Sequence, residues 1–94
     1  MMKVYISVPM AGRTDEEIEH DIAAAKESFP FKKVIFVHPI IDDDTPDDQV
    51  ACLAESIKLL STCDAAFFVK GWENARGCKI ERAVCDAYGI YVYS

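Results

Sequence analysis

A chain of 94 residues, of which 51% are hydrophobic, has the size of one globular domain and lacks the profile of a disordered segment. The net charge of −6 argues against a nucleic-acid polymer or an anionic membrane as partner, because both require a basic surface. No run approaches the roughly 20 apolar residues of a membrane helix, and the N-terminus enters a strand pattern directly instead of resembling a signal peptide. We therefore expect a cytoplasmic protein, and its small size favours a homodimer or higher homo-oligomer.

The cysteines stand at positions 52, 63, 78 and 85, with no C-x-x-C pair and no metal-ligand spacing to a histidine. We expect free thiols in a reducing compartment and no bound metal.

The first half of the chain predicts a strand, a helix and a second strand. A β-branched and aromatic run over 4–8 predicts the first strand, which Pro9 and Gly12 close. The capping-box pattern from Thr14 to Glu17 predicts a helix that extends to about Phe29, since Pro30 ends it. Residues 33–37 form the second predicted strand.

The second half repeats the alternation. A helix is predicted over 47–62, a buried strand over 64–69, a helix over 76–88 with Gly89 as C-cap, and a last strand over 90–93. On the helix at 47–62 we expect an apolar buried face formed by Val50, Leu53, Ala54, Ile57 and Leu60.

The order β-α-β-α-β-α-β predicts an α/β three-layer sandwich with a four-stranded parallel sheet, of Rossmann or flavodoxin-like type. Ligands of such sheets bind at the carboxyl ends of the strands, near the point where the strand order reverses. Candidate binding segments are therefore 7–13, 38–48, 70–77 and the C-terminus.

The segment from Ser7 to Arg13 joins the first strand to the first helix. A hydroxyl, Gly12, a positive charge and the amides of a helix N-terminus suit an anionic group such as a phosphate. The segment is neither a P-loop nor a dinucleotide fingerprint, and an ordinary turn into a capped helix explains it equally well.

The segment 71–81 carries the other candidates. Trp72 offers a stacking surface for a base, and Arg76 and Gly77 introduce the last helix. Glu81 lies about one turn inside that helix, where its N-terminus would stabilise the carboxylate. The alternative is a solvated Glu81, or one paired with Arg82 or Lys79.

Two further groups are ambiguous. His38 either contacts a ligand or simply ends its strand beside Pro39. The aspartates at 42–44 do not point at one centre, which favours a solvated loop over a Mg²⁺ site.

Residues 3–13 (KVYISVPMAGR), 63–64 (CD) and 71–81 (GWENARGCKIE) resemble the nucleoside deoxyribosyltransferase superfamily, in particular its small bacterial and phage branch. The likeness runs through nearly the whole chain. It implies a nucleophilic glutamate, matched by Glu81, that attacks the anomeric carbon of a nucleoside. It also implies that Tyr5 orients this glutamate, that Asp64 lines the site, and that the loop after the first strand contacts the ligand through Ser7, Met10, Ala11, Gly12 and Arg13.

The chain departs from this superfamily at three places. Ala75 and Ser56 stand where relatives often carry aspartates, and the sequence ends at Ser94, where larger members continue.

The leading hypothesis is thus an N-glycosidic-bond hydrolase or deoxyribosyltransferase that acts on a nucleoside or nucleoside 5′-monophosphate and needs no cofactor. A nucleotide-binding module without turnover is the alternative, and a structural protein that has lost the site is a third interpretation.

Overall fold

The computed structural model of the protein describes residues 1–39 and 49–93. The aspartates at 42–44 and the predicted first residues of the second helix, 47 and 48, lie outside these ranges. The elements in chain order are β1 (Met2–Ser7), α1 (Asp15–Ser28), β2 (Val34–Val37), α2 (Gln49–Leu60), β3 (Ala65–Phe68), a short 3-10 helix (Trp72–Asn74), α3 (Arg76–Tyr88) and β4 (Tyr91–Tyr93).

The four strands form one parallel sheet in the order β2-β1-β3-β4. The register places Tyr5 beside Val37 on one side of β1, and Ser7 beside Phe68 on the other. The chain moves outward from β1 to β2 and then crosses back to β3, so the strand order reverses between β1 and β3. The predicted α/β fold class, with its four-stranded parallel sheet, is confirmed.

Alternation along β1 divides the core into two halves, because successive side chains of a strand point to opposite faces. Ile6 packs with Ile18 and Ile22 of α1 on one face. Tyr5 packs with Leu60 of α2 and Cys85 of α3 on the other. Ser7 shares the Tyr5 face, and the strand thereby delivers a polar side chain to the end of the sheet beneath α2 and α3.

Both predicted helix caps form. The side chains and backbones of Thr14 and Glu17 make the reciprocal bonds of a capping box. Gly89 adopts a φ of 73°, a left-handed conformation that favours glycine, and its N–H donates to the carbonyl of Cys85. The capping box thus fixes the start of α1, and Gly89 ends α3 just before β4.

The buried face predicted for α2 is only partly correct. Leu60 is fully buried, but Val50 is 75% exposed and Ala54 is also exposed. The reason is that the first turns of α2 flank an open cleft, and only the end of the helix packs into the core.

Within the ranges that the structure describes, no helix has both the length and the apolarity needed to cross a membrane.

Candidate functional site

A cleft of about 550 Å³ opens at the carboxyl edge of the sheet, beside the point where the strand order reverses. This is the position at which doubly wound sheets bind ligands. Its described walls come from the end of β1 with the following loop, the first two turns of α2, and the start of α3. The lining residues include Val8, Pro9, Met10, Ala11, Pro39, Val50, Cys52, Leu53, Ser56, Asn74, Ala75, Arg76, Gly77, Cys78, Ile80 and Glu81.

Glu81 provides the buried carboxyl group of this cleft. Its residue is only 5% exposed, and the Ser7 hydroxyl donates a hydrogen bond of 3.1 Å to its Oε1. Its Oε2 is buried and has no hydrogen-bond partner in the described parts of the chain. The interpretation of Glu81 as a solvated helix residue is therefore wrong, and Arg82 pairs with Asp86 instead.

Tyr5 lies beneath the floor of the cleft, fully buried. Its hydroxyl is near the side chains of Glu81 and Ser56, yet it completes no hydrogen bond among the described residues. Burial and the adjacent carboxylate raise the pKa of Tyr5 well above its ordinary value. The phenol therefore stays protonated and can act towards Glu81 only as a neutral donor.

Burial also raises the pKa of Glu81, although the hydroxyls of Tyr5 and Ser7 oppose that rise. The sequence predicted that the helix N-terminus would stabilise the anion. Glu81 is, however, the sixth residue of α3, and the field of a helix end falls off within its first turn. Desolvation has a larger effect on the pKa than these hydroxyl groups, so the folded structure disfavours the charged form of the Glu81 carboxyl group.

Cys78 adds a thiol to the same group, one helical turn before Glu81. It is 3% exposed and lies near Ser7. Burial raises the pKa of the Cys78 thiol to about 11, which keeps it neutral. It fills space beside the carboxylate without competing as a nucleophile, since the thiolate is the reactive form.

The remainder of the cleft has an apolar wall and a polar mouth. Met10, Leu53 and Ile80 line the wall, while Asn74 and Arg76 lie at the exposed start of α3. Ala75 is the N-cap of this helix, and its side chain makes no capping hydrogen bond.

Of the other residues predicted from sequence, Met10, Ala11, Arg76 and Gly77 line the cleft. Ser7 does reach the site, but as the hydrogen-bond donor to Glu81 and not as a contact for phosphate.

Asp64 is not brought to the site. It precedes β3 at the amino edge of the sheet, where its Oδ2 accepts a 2.9 Å hydrogen bond from the backbone N–H of Lys3. Lys3 and Ser7 are four residues apart on one strand, which is about 13 Å at the rise of an extended chain. Asp64 caps the end of the sheet opposite Glu81, and its predicted catalytic role is not supported.

Arg13 precedes α1 and is engaged by that helix and by its own loop. Its Nη2 lies 2.6 Å from Oδ2 of Asp21, and its Nη1 donates to the carbonyl of Pro9 at 3.1 Å. Gly12 is exposed, with a φ of 74° that serves the turn in which the N–H of Arg13 bonds to the carbonyl of Met10. Neither Gly12 nor Arg13 is among the described lining residues of the cleft, so the geometry does not favour the phosphate loop.

Trp72 faces the core. The ring centroids of Trp72 and Phe68 are 5.4 Å apart, and Cζ of the Arg82 guanidinium lies 5.2 Å from the Trp72 ring centroid. These contacts occupy the surface predicted to stack on a base. His38 similarly turns to its neighbour, with Nδ1 2.9 Å from the carbonyl of Pro39, and of these two only Pro39 lines the cleft.

Sequence reasoning missed Ser56, Cys78 and Leu53 as lining residues. Helical spacing contained the signal, because residues three apart share a face. Leu53 and Ser56 are related in this way on α2, and so are Cys78 and Glu81 on α3. The missing information was the choice of face, which depends on how the helices pack.

The four cysteines all lie in the described ranges, and none forms a disulfide. Among residues 1–39 and 49–93, no group of three or more His, Cys, Asp or Glu side chains is arranged to hold a metal ion.

The fold and the cleft together define a doubly wound α/β protein with a buried carboxyl group at its topological switch point. A family model described as "Domain of unknown function (DUF4406)" matches residues 2–94, and the chain belongs to that family. No curated protein and no solved structure matches it.

Proposed function

We propose that the protein cleaves or transfers the N-glycosidic bond of a nucleoside or nucleoside 5′-monophosphate, with Glu81 as nucleophile. The observation that carries this proposal is the state of the carboxyl group: Ser7 holds Oε1, while Oε2 is buried at the cleft without a partner. A carboxylate with one oxygen fixed and the other uncommitted is suited to attack an electrophilic carbon.

In the first step Oε2 of Glu81 bonds to C1′ of the sugar as the C1′–N bond breaks. The base leaves with that electron pair and takes up a proton from solvent. In the second step water or another base attacks C1′ and releases a proton to solvent, and the electron pair of the C1′–O bond returns to the Glu81 carboxylate. The charge on the sugar is positive in both transition states, which a nearby carboxylate stabilises.

The neighbouring groups have distinct roles in this scheme. Ser7 sets the direction of the carboxylate, and the neutral Tyr5 hydroxyl stabilises negative charge when the ester is broken. The apolar wall formed by Met10, Leu53 and Ile80 accommodates a base. Arg76, which lines the cleft at the start of α3, takes the place of Arg13 as the candidate contact for an anionic 5′ end.

The resemblance to nucleoside deoxyribosyltransferases supports this reaction class, since the carboxyl group in the cleft is the residue that the likeness marks as nucleophile. A cytoplasmic homodimer remains part of the proposal: the small size and the resemblance support the dimer, and the free cysteines suit a reducing compartment.

Base release from a panel of nucleosides and their 5′-monophosphates, followed by chromatography, tests the proposal. Glu81→Gln should abolish release, while Glu73→Gln should retain it, because Glu73 is exposed on the 3-10 helix and is not among the described lining residues. Release that persists in Glu81→Gln would exclude the mechanism.

A nucleotide-binding module is the second candidate, and the raised pKa of Glu81 favours it. A protonated carboxyl group binds a hydroxyl or a base but does not attack carbon. The pH profile separates the candidates: catalysis by Glu81 requires turnover that rises with pH as the carboxyl group ionises, whereas a binding module releases no base at any pH.

A further inference from the structure

The hydroxyl groups around the Glu81 carboxyl group are concentrated at one end of the cleft. Ser56 lines the cleft from α2, and the Tyr5 hydroxyl lies near both Ser56 and Glu81. Most of the surrounding lining is apolar, including Val8, Leu53 and others of the wall.

This end has hydrogen-bonding capacity that the protein itself does not use. The Tyr5 hydroxyl and Oε2 of Glu81 are both buried, and neither has a partner among the residues described. A buried donor or acceptor without a partner costs free energy, which a ligand group of suitable type recovers on binding. A group that both accepts and donates, such as a hydroxyl, matches a neutral phenol beside a carboxylate.

The position of such a hydroxyl on the substrate follows from the attack geometry. If Oε2 of Glu81 bonds to C1′, the adjacent carbon of the furanose is C2′, and its substituent lies beside the attacking carboxylate. Ser56 carries the hydroxyl group among the described lining residues of the cleft, and it lies near the Tyr5 hydroxyl, which in turn lies near this carboxylate. A 2′-hydroxyl there can accept from Ser56 and donate to Glu81, whereas a 2′-methylene leaves these polar groups unpaired.

We propose that Ser56, supported by Tyr5, makes the cleft selective for ribosides over 2′-deoxyribosides by binding the 2′-hydroxyl. This inference rests on the proposed function for its placement of C1′. Sites that hydrogen-bond a substrate hydroxyl discriminate strongly against the analogue without it, because their own buried groups are left unsatisfied. We expect the ratio of kcat/KM between matched substrates to favour the riboside by about 10- to 100-fold.

The experiment measures base release from adenosine, guanosine, cytidine and uridine 5′-monophosphates and from their four 2′-deoxy counterparts. Ser56→Ala should lower the ratio for the same base by about 10- to 100-fold relative to the wild type, chiefly by slowing the riboside. The ratio is the informative quantity, because the intrinsic difference in reactivity between the two sugars cancels when the variant is compared with the wild type.

Ser61→Ala is the matched control. It makes the same chemical change just after α2, where the Ser61 hydroxyl bonds to the carbonyl of Lys58 in an exposed turn. It should preserve the wild-type ratio. A wild type that prefers 2′-deoxyribosides, or a ratio that Ser56→Ala leaves unchanged, would overturn the assignment.

Thermal shift with the same eight compounds separates this inference from the proposed reaction. If no base is released but ribonucleotides stabilise the protein in a Ser56-dependent way and 2′-deoxyribonucleotides do not, the reaction fails and the assignment of Ser56 stands. If neither series stabilises the protein or releases base, both proposals fail.

Discussion

Replacing Glu81 with glutamine should stabilise the protein at neutral pH. Glutamine preserves the acceptor that Ser7 contacts and replaces the buried, unpartnered Oε2 with a neutral amide close to the Tyr5 hydroxyl. An unsatisfied buried polar group costs about 1–3 kcal/mol, and more when it is charged. For a domain of this size 1 kcal/mol shifts Tm by about 4–8 °C, so we expect an increase of about 5–10 °C at pH 7 to 8.

The effect should depend on pH in a defined direction. Because burial raises the pKa of Glu81 in the folded state, folding favours the protonated carboxyl group. The wild type therefore has its full stability from this group below pH 4.5 and loses it as pH rises through the folded pKa. The variant has no such loss, so the difference in stability should be small at pH 4 and largest at pH 8.

Circular dichroism melting of both proteins from pH 4 to 8 measures this difference, since all other titrations are common to the two. Glu73→Gln makes the same charge change on an exposed residue, and its melting temperature should equal that of the wild type at every pH. A Glu81→Gln variant that is less stable at pH 7, or a gap that does not vary with pH, would refute the reasoning that desolvation dominates at this site.

Three other substitutions test the site. Ser7→Ala removes the donor to Glu81 and should lower kcat/KM for base release about tenfold, equivalent to about 1.4 kcal/mol; an unchanged value would refute its positioning role. Arg13→Ala breaks the pair with Asp21 and should cost at most about 1 kcal/mol in a melt, without a selective loss of affinity for monophosphates; such a loss would return Arg13 to the site. Gly77→Ala should stabilise α3 by about 0.5–1 kcal/mol, because alanine loses less backbone entropy than glycine in a helix. The new methyl group fits without a clash, since its nearest neighbour would be Leu53 Cδ1 at 3.9 Å. The same methyl enters the cleft and should weaken nucleotide binding in a thermal-shift titration, whereas undiminished binding would place the ligand elsewhere.

Local sequence patterns were sufficient to predict the helix ends that are marked by capping residues. The capping box at Thr14 and the glycine at 89 mark helix ends through bonds between residues close in sequence, and the structure forms both. The Glu81 carboxyl group was also a candidate from sequence, but spacing alone favoured a solvated side chain. Its burial depends on β1 lying beneath α3, 74 residues away along the chain from Ser7 to Glu81.

Two predicted site residues lie elsewhere in the fold. Asp64 was assigned to the site from the resemblance, and Trp72 because it follows a strand whose carboxyl end was expected to bind a ligand. Asp64 lies at the amino end of that strand, and Trp72 turns towards Phe68 and Arg82. Ser56 was noted only as a departure from a pattern, yet it lines the cleft.

The sequence by itself determined the order of strands and helices, the parallel sheet and the segments near the ligand edge, because periodicity, caps and turn residues act over a few neighbours. Only the tertiary structure decided which side chains meet there. The partners of a buried polar group come from distant strands and helices, and the direction in which each helix presents its face is set by packing against the sheet. The hydrogen bond from Ser7 to Glu81 forms only after β1, α2 and α3 have come together. The same packing buries the Glu81 carboxyl group and raises its pKa.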